Sequence, residues 1–256
     1  MTLPPARAIR IVTLYPEVMD VYADRGNLIA VQARCRRLGI GCEVLPIGIG
    51  DLLPAQADLV LIGGGQDREQ RRIAPDLAAK GPALRDWADA DTAMLAVCGG
   101  FQLFGDFYRT AQGEELPGVR LFDAITVAPA PGAPRCIGDV LADAAIPEVG
   151  ELVGFENHGG RTYLGPRGVP FARVRHGYGN NGDDGTEGAV YHEAIGTYLH
   201  GSLLPKNPAL LDRLILAALR HRYGADATFE APRDEYAERA HRAAADVARR
   251  RGRRNI

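Results

Sequence analysis

The 256-residue chain has only two lysines, Lys80 and Lys206, and a single serine, Ser202. Each shortage removes a chemistry. A phosphate-cradling loop needs Gly-Lys-Ser/Thr, but Lys80 follows Ala79 and Lys206 follows Pro205. Serine-hydrolase chemistry would rest on Ser202 alone. The four cysteines include no CxxC pair, which speaks against a zinc ribbon or a thioredoxin-type site, and no metal is expected. They are too few for a secreted disulfide framework. No segment approaches 18 consecutive apolar residues, and the opening MTLPPARAIRIVTLYP holds no run long enough for a signal peptide. A cytoplasmic protein with reduced thiols is expected. A net charge of −2 argues against a surface given over to nucleic acid, and no nucleic-acid partner is expected.

The composition is otherwise that of a globular protein, 46% hydrophobic and 24% charged. The near-zero charge is unevenly spread. Residues 233–256 carry eight Arg against Asp234, Glu235, Glu238 and Asp246, a net of +4, which leaves −6 on the rest. The plain expectation is a solvated, partly frayed C-terminal helix. The sharper one is a docking surface for an acidic partner or an anionic lipid headgroup.

Short apolar runs alternate with amphipathic ones, the pattern of an α/β domain. Strands are expected at 9–14, 42–46, 58–62 and 92–97. Helices are expected at 27–37, over 66–90 with breaks near Pro75 and Gly81-Pro82, and over 101–108. From about Leu116 short strands follow at 121–127, 136–141, 151–156, 171–174, 188–191 and 195–199, separated by Gly and Pro turns. A helix over 207–222 has Asn207 as its N-cap and Pro208 at its first position. A polar helix covers 234–251, and Asn180–Gly185 reads as a mobile, turn-rich loop.

The strongest local signal is Ala96-Val97-Cys98-Gly99-Gly100-Phe101-Gln102. An apolar strand turns into a helix at a cysteine followed by two glycines, the geometry of a nucleophile elbow with Cys for Ser. Glycine clears bulk from the turn. Free N–H groups at the helix start favour thiolate and can hold an oxyanion. Cys35, Cys42 and Cys136 lack this context and are assigned to packing. A cysteine nucleophile needs a base. His200 fits best, ending an apolar strand just before Gly201, at the edge where open α/β sheets bind ligands. His158, in Phe155-Glu-Asn-His-Gly-Gly-Arg161, is the rival. His221 and His241 read as solvated helix residues. A second oxyanion donor belongs on the Gly63-Gly64-Gly65 loop, which leaves a strand and opens a helix.

In these segments the chain resembles class I glutamine amidotransferases of the CobB/CobQ-like branch. The likeness rests on Cys98 with Gln102, the Gly63–Gly65 loop and His200, in that order. Tyr22-Ala-Asp-Arg-Gly-Asn27, Gly63–Gln70, Phe155–Thr162, Gly177–Asn181, Gly196–Gly201 and Leu204–Asn207 narrow it to the glutaminase subunits of lipid II isoglutaminyl synthase. The resemblance implies a flavodoxin-like three-layer α/β sandwich with a mostly parallel central sheet. It divides the chain into an amidotransferase domain over 1–230 and a basic C-terminal helix and tail over 231–256. It implies that Cys98 attacks L-glutamine, that His200 relays protons, and that Gly64, Gly65 and Gly99 hold the oxyanion. Arg135, Gln102 and His158 would bind substrate. No cofactor is implied in this chain. ATP and Mg would belong to a heterodimeric partner, a MurT-like subunit of the Mur-ligase family. That partner would amidate the D-glutamate α-carboxylate of lipid II, at the inner face of the membrane.

One departure stands out. Many class I enzymes place a Glu two residues after the histidine, and here that position is Ser202. The expectation is a Cys–His dyad, or a carboxylate donated by the partner. Competing readings are a CobB/CobQ-type amidation of another carboxylate such as a corrinoid, a stand-alone amidase, a non-catalytic module and a lipid adaptor acting through the tail.

Overall fold

The most apolar segments of the chain become the middle of one sheet. In the computed structural model, which describes residues 7–20 and 24–252, the first half comprises β1 (Arg7–Leu14), α1 (Arg25–Arg37), β2 (Ile40–Ile47), β3 (Leu59–Ile62), α2 (Asp67–Asp89), β4 (Ala93–Val97) and α3 (Gly99–Phe104). Seven short to medium strands follow: β5 (Phe107–Arg109), β6 (Glu115–Pro117), β7 (Ala124–Val127), β8 (Cys136–Ala144), β9 (Glu151–His158), β10 (Arg161–Leu164) and β11 (Ala172–His176). The chain ends with β12 (Thr186–Glu187), β13 (Ala189–Tyr191), β14 (Ala194–Thr197), α4 (Leu203–Lys206), α5 (Pro208–Tyr223) and α6 (Glu235–Gly252).

The central sheet has the order β13-β14-β4-β3-β1-β2, parallel except for the β13 edge. Every residue of β3 and β4 is buried, as strands covered on both faces require. The crossovers β1-α1-β2 and β3-α2-β4 step in opposite directions along the sheet. Right-handed connection therefore puts α1 and α2 on opposite faces, giving three layers. Two four-stranded sheets, β10-β7-β5-β6 and β12-β11-β8-β9, are added beside this unit. Among the described residues no helix is long and apolar enough to cross a membrane.

Several expectations are corrected. Helix α2 runs unbroken through Pro75 and Pro82. Both prolines lie on the exposed side, while Ile73, Leu77, Gly81, Leu84 and Ala88 form the buried stripe. Each proline costs about 3 kcal/mol in a helix interior, and burial of the opposite face offsets it. Helix α3 stops at Phe104, and 107–109 turns into β5. His221 is held between Asp58 (3.0 Å) and Thr92 (3.2 Å). His241 donates Nδ1–H to the Lys206 carbonyl at 2.8 Å. The 180–185 loop is pinned, with Asn181 Oδ1 accepting the N–H groups of Asp183 and Asp184 and Asn180 Nδ2 donating to the Gly188 carbonyl.

The basic helix is docked rather than frayed. Asp234 caps α6 by accepting the Ala237 N–H at 3.0 Å. Ala245 and Ala248 bury against Leu141 of β8 and Val153 of β9. Arg249 pairs with Glu151 at 2.7 Å and Arg251 with Asp139 at 2.6 Å. Part of the acidic surplus of the body thus faces the basic helix. Residues 253–256 of the expected tail lie outside the described residues.

Asn207 precedes α5 but its side chain does not cap it. It accepts the Val153 N–H (2.9 Å) and donates to the carbonyls of Val153 (2.8 Å) and Leu203 (2.8 Å). This clamps β9 to the α4–α5 corner. Removing an ordinary cap costs about 1 kcal/mol, whereas orphaning buried backbone groups costs about 1–3 kcal/mol each. Asn207→Ala is therefore expected to lower the unfolding free energy in urea by more than 2 kcal/mol; a loss of 1 kcal/mol or less would reduce Asn207 to a cap.

Candidate active site

The C-terminal edge of the central sheet gathers the chain's reactive groups. Cys98 leaves β4, the Gly63–Gly65 loop leaves β3, and the chain beyond β14 carries His200. Cys98 has φ 49° and ψ −106°, a conformation non-glycine residues rarely adopt and that costs about 1–3 kcal/mol. Its N–H donates to the Thr197 carbonyl at 2.8 Å, which ties the elbow to the strand leading to His200. The glycines around it are a steric requirement. A Cβ on Gly99 would lie 2.8 Å from both the N and O of Gly65. One on Gly64 would lie 2.9 Å from the His200 ring and 3.4 Å from Cys98 Cβ. The two loops close backbone to backbone, with the side chains of His200, Asp24, Gln70 and Cys98 around the junction.

His200 is wholly buried and held by its backbone. Its N–H donates to the Phe155 carbonyl at 2.7 Å, so the residue bridges from the central sheet to β9. The approach is fixed by buried Glu187, which accepts the Thr197 hydroxyl and the Tyr198 N–H. The His200 ring faces Asp24 through Nδ1 at 3.3 Å and lies within electrostatic reach of Cys98. Burial pulls the imidazole pKa down. The charge of an ionised Cys98 and the hydrogen bonds to Asp24 and Cys98 outweigh it and push the value up to about 10. Both neighbours thus favour the charged imidazole over the neutral one.

Asp24 was not among the residues singled out from the sequence. It lies just ahead of α1, with its side chain buried, and places Oδ1 3.3 Å from His200 Nδ1. Its Oδ2 accepts the Gly64 N–H at 2.8 Å. A carboxylate of this chain therefore stands beside the histidine, in place of the bare Cys–His dyad or partner-donated acid that the sequence suggests. Its only sequence trace is the Tyr22–Asn27 segment, of which Tyr22 and Ala23 lie outside the described residues. Gly64, expected as an oxyanion donor, directs its N–H to Asp24, while Gly65 and Gly99 meet beside Cys98.

A cleft opens from Cys98 and is lined by Gly65, Gln102, Arg135 and His158 among others. Four expected residues thus share one cavity, but they differ in what they can offer. Arg135 sits exposed on Asn157, its guanidinium donating to Asn157 Oδ1 (3.0 Å) and O (3.1 Å). Gln102 has both ends of its amide engaged. It accepts from Gln70 Nε2 (2.9 Å) and donates to Tyr198 OH (3.1 Å). His158 stacks on Tyr198 with ring centroids 3.6 Å apart and donates Nδ1–H to the Gly160 carbonyl at 2.8 Å. Both act as walls. Cys35, Cys42 and Cys136 are free thiols and do not line this cleft, although Cys136 lies between Arg135 and Ile137, which do.

Burial raises the Glu187 carboxyl to about 7, with repulsion from Glu156 adding to it and the Thr197 and Tyr198 hydrogen bonds opposing it. Between 4.5, its ordinary value, and 7 the folded chain keeps a proton that the unfolded chain releases, so stability falls as pH rises. Over that window Glu187→Gln should remove a decline of about 3 kcal/mol. Urea unfolding at pH 5 and pH 8 measures it, and equal slopes in the two proteins would refute it.

The comparisons with known proteins bear on the family and the fold. The family model of the CobB/CobQ-like glutamine amidotransferase domain matches residues 10–208. The chain is 35% identical over 228 residues to the Streptococcus pneumoniae protein named lipid II isoglutaminyl synthase (glutamine-hydrolyzing) subunit GatD, covering 88% of this chain and 86% of that one. It is 37% identical over 200 residues to the Staphylococcus aureus protein of the same name, covering 77% and 79%. The solved PurLQS structure from Thermotoga maritima shares the fold, with a TM-score of 0.58, 13% identity, and coverage of 81% of this chain and 97% of that one. The chain belongs to the CobB/CobQ-like glutamine amidotransferases.

Proposed function

We propose that this chain is the glutaminase subunit of a lipid II isoglutaminyl synthase. The observation that carries the reading is the buried Cys98–His200–Asp24 arrangement opening onto a cleft with Arg135 at its side. Likeness over most of both chains to two subunits named for that synthase supports the assignment of pathway.

The chemistry follows from the positions. The Cys98 thiolate attacks the side-chain amide carbon of L-glutamine, and the carbonyl electrons move to oxygen. The N–H groups of Gly99 and Gly65 receive that oxyanion, while the Gly64 N–H supports Asp24. Imidazolium His200 passes its proton to the amide nitrogen and ammonia leaves, giving a γ-glutamyl thioester. Neutral His200 then takes a proton from water, whose oxygen attacks the thioester. Glutamate leaves, and the proton held by His200 restores the ion pair. Asp24 keeps the ring turned to Cys98 and stabilises its charged form, the orienting role of a triad's third member. Arg135 binds the α-carboxylate of glutamine.

The ammonia passes to a MurT-like ligase subunit. That partner binds ATP and Mg, activates the α-carboxylate of D-glutamate in the stem peptide of lipid II, and amidates it to D-isoglutamine. The complex works at the cytoplasmic face of the membrane through its lipid-linked substrate.

Three variants test the account in the assembled complex. Cys98→Ala is expected to abolish glutamine-dependent amidation and leave ammonia-dependent amidation intact. Arg135→Ala should raise KM for glutamine at least tenfold with the ammonia reaction unaffected. Asp24→Ala should lower glutaminase kcat by roughly 10- to 1,000-fold. Equal loss of the glutamine and ammonia reactions in all three would mark these residues as structural.

A further inference from the structure

The cleft that opens from Cys98 holds one carboxylate among its described lining residues, Asp67. Asp67 is the first residue of α2 and is half-buried. Its Oδ1 accepts the hydroxyl of Tyr108 at 2.9 Å, the only hydrogen bond among the described residues that engages this carboxylate. Tyr108 is itself buried, so the acid is braced from the protein side. Burial, the hydrogen bond to Asp67 and the negative charges of Asp67 and Cys98 all raise the phenol pKa, and Arg135 opposes them. Tyr108 therefore remains a neutral O–H donor, within electrostatic reach of the nucleophile, the guanidinium and the acid together.

That grouping matches a ligand with three ends. A substrate whose side-chain amide reaches Cys98 also carries an α-carboxylate and an α-ammonium. Arg135 answers the carboxylate. An ammonium placed in the cleft needs a counter-charge of its own, and Asp67 is the anion available on those walls. The helix start alone would account for an acid at this position through its dipole. It does not account for the brace from Tyr108, nor for the shared cleft with Cys98 and Arg135.

We propose that Asp67, braced by Tyr108, receives the α-ammonium of the substrate, so that the cleft selects amides of free α-amino acids over amides lacking that group. The inference rests on the glutaminase reading and adds a specificity-determining residue to it.

The test compares hydrolysis of L-glutamine with that of glutaramate, the same amide without the α-amino group, by the full chain assembled with its ligase partner. Wild type is expected to favour glutamine in kcat/KM by at least one order of magnitude, the scale of a charge-assisted hydrogen bond. Asp67→Asn keeps the shape and an acceptor for Tyr108 but removes the charge. It should cut that preference by on the order of 10- to 100-fold, mainly through a raised KM for glutamine. Tyr108→Phe, which loosens the brace and leaves the charge, should cut it less. A full wild-type preference in Asp67→Asn would overturn the inference. So would an equal fall in kcat/KM for both amides, which a merely structural role at the start of α2 would produce. Wild type that hydrolyses neither amide would defeat the glutaminase reading itself, and this inference with it.

Discussion

The buried contact between Asp24 and His200 is the constraint around which the site is arranged. One carboxylate oxygen faces the imidazole at 3.3 Å and the other accepts the N–H of Gly64 at 2.8 Å. Asp24 therefore ties the loop after β3 to the histidine beyond β14. Those two segments flank β4, whose end carries Cys98. A charge this deep is tolerated only when paired and hydrogen-bonded, and both conditions are met. The same pairing, together with Cys98, favours the charged form of the imidazole against its own burial.

The rest of the molecule keeps this arrangement rigid. The β14 segment runs past buried Glu187, whose carboxylate takes the Thr197 hydroxyl and the Tyr198 N–H. The Tyr198 hydroxyl accepts from Gln102, itself held by Gln70, and meets Thr162, which meets Thr126, a line that spans from α2 to the strands beside the cleft. His200 pairs its backbone with Phe155 of β9, and Asn207 clamps the same strand one turn of chain later. Helix α6 covers β8 and β9 from outside. The added sheets thus serve as the frame for a histidine that the central sheet alone would leave on a free loop.

Much of this was legible in the sequence where the cause is local. Apolar runs marked the central strands, and a cysteine between a strand and two glycines marked the elbow. His200 could be picked out because it ends an apolar strand. What escaped the sequence depends on long-range partners. Asp24 lies 176 residues from His200, and nothing near either residue announces their meeting. Gln102 stands four residues from Cys98 and invited a substrate role, yet the protein itself engages both ends of its amide. Pro75 and Pro82 read as breaks because the cost of a proline is local, whereas the packing that offsets it is tertiary. Charge counting found the basic C-terminal helix, but its acidic partners Glu151 and Asp139 sit on distant strands.

The central claim is that this chain forms a covalent γ-glutamyl intermediate on Cys98 without help from any other thiol. Acid quenching of the assembled complex during turnover of isotopically labelled L-glutamine, followed by peptide mass spectrometry, tests it most directly. The account predicts a labelled glutamyl thioester on the peptide containing Cys98, and none on peptides containing Cys35, Cys42 or Cys136. Steady glutamine hydrolysis with no label trapped on Cys98, or label on one of the other three cysteines, would contradict it.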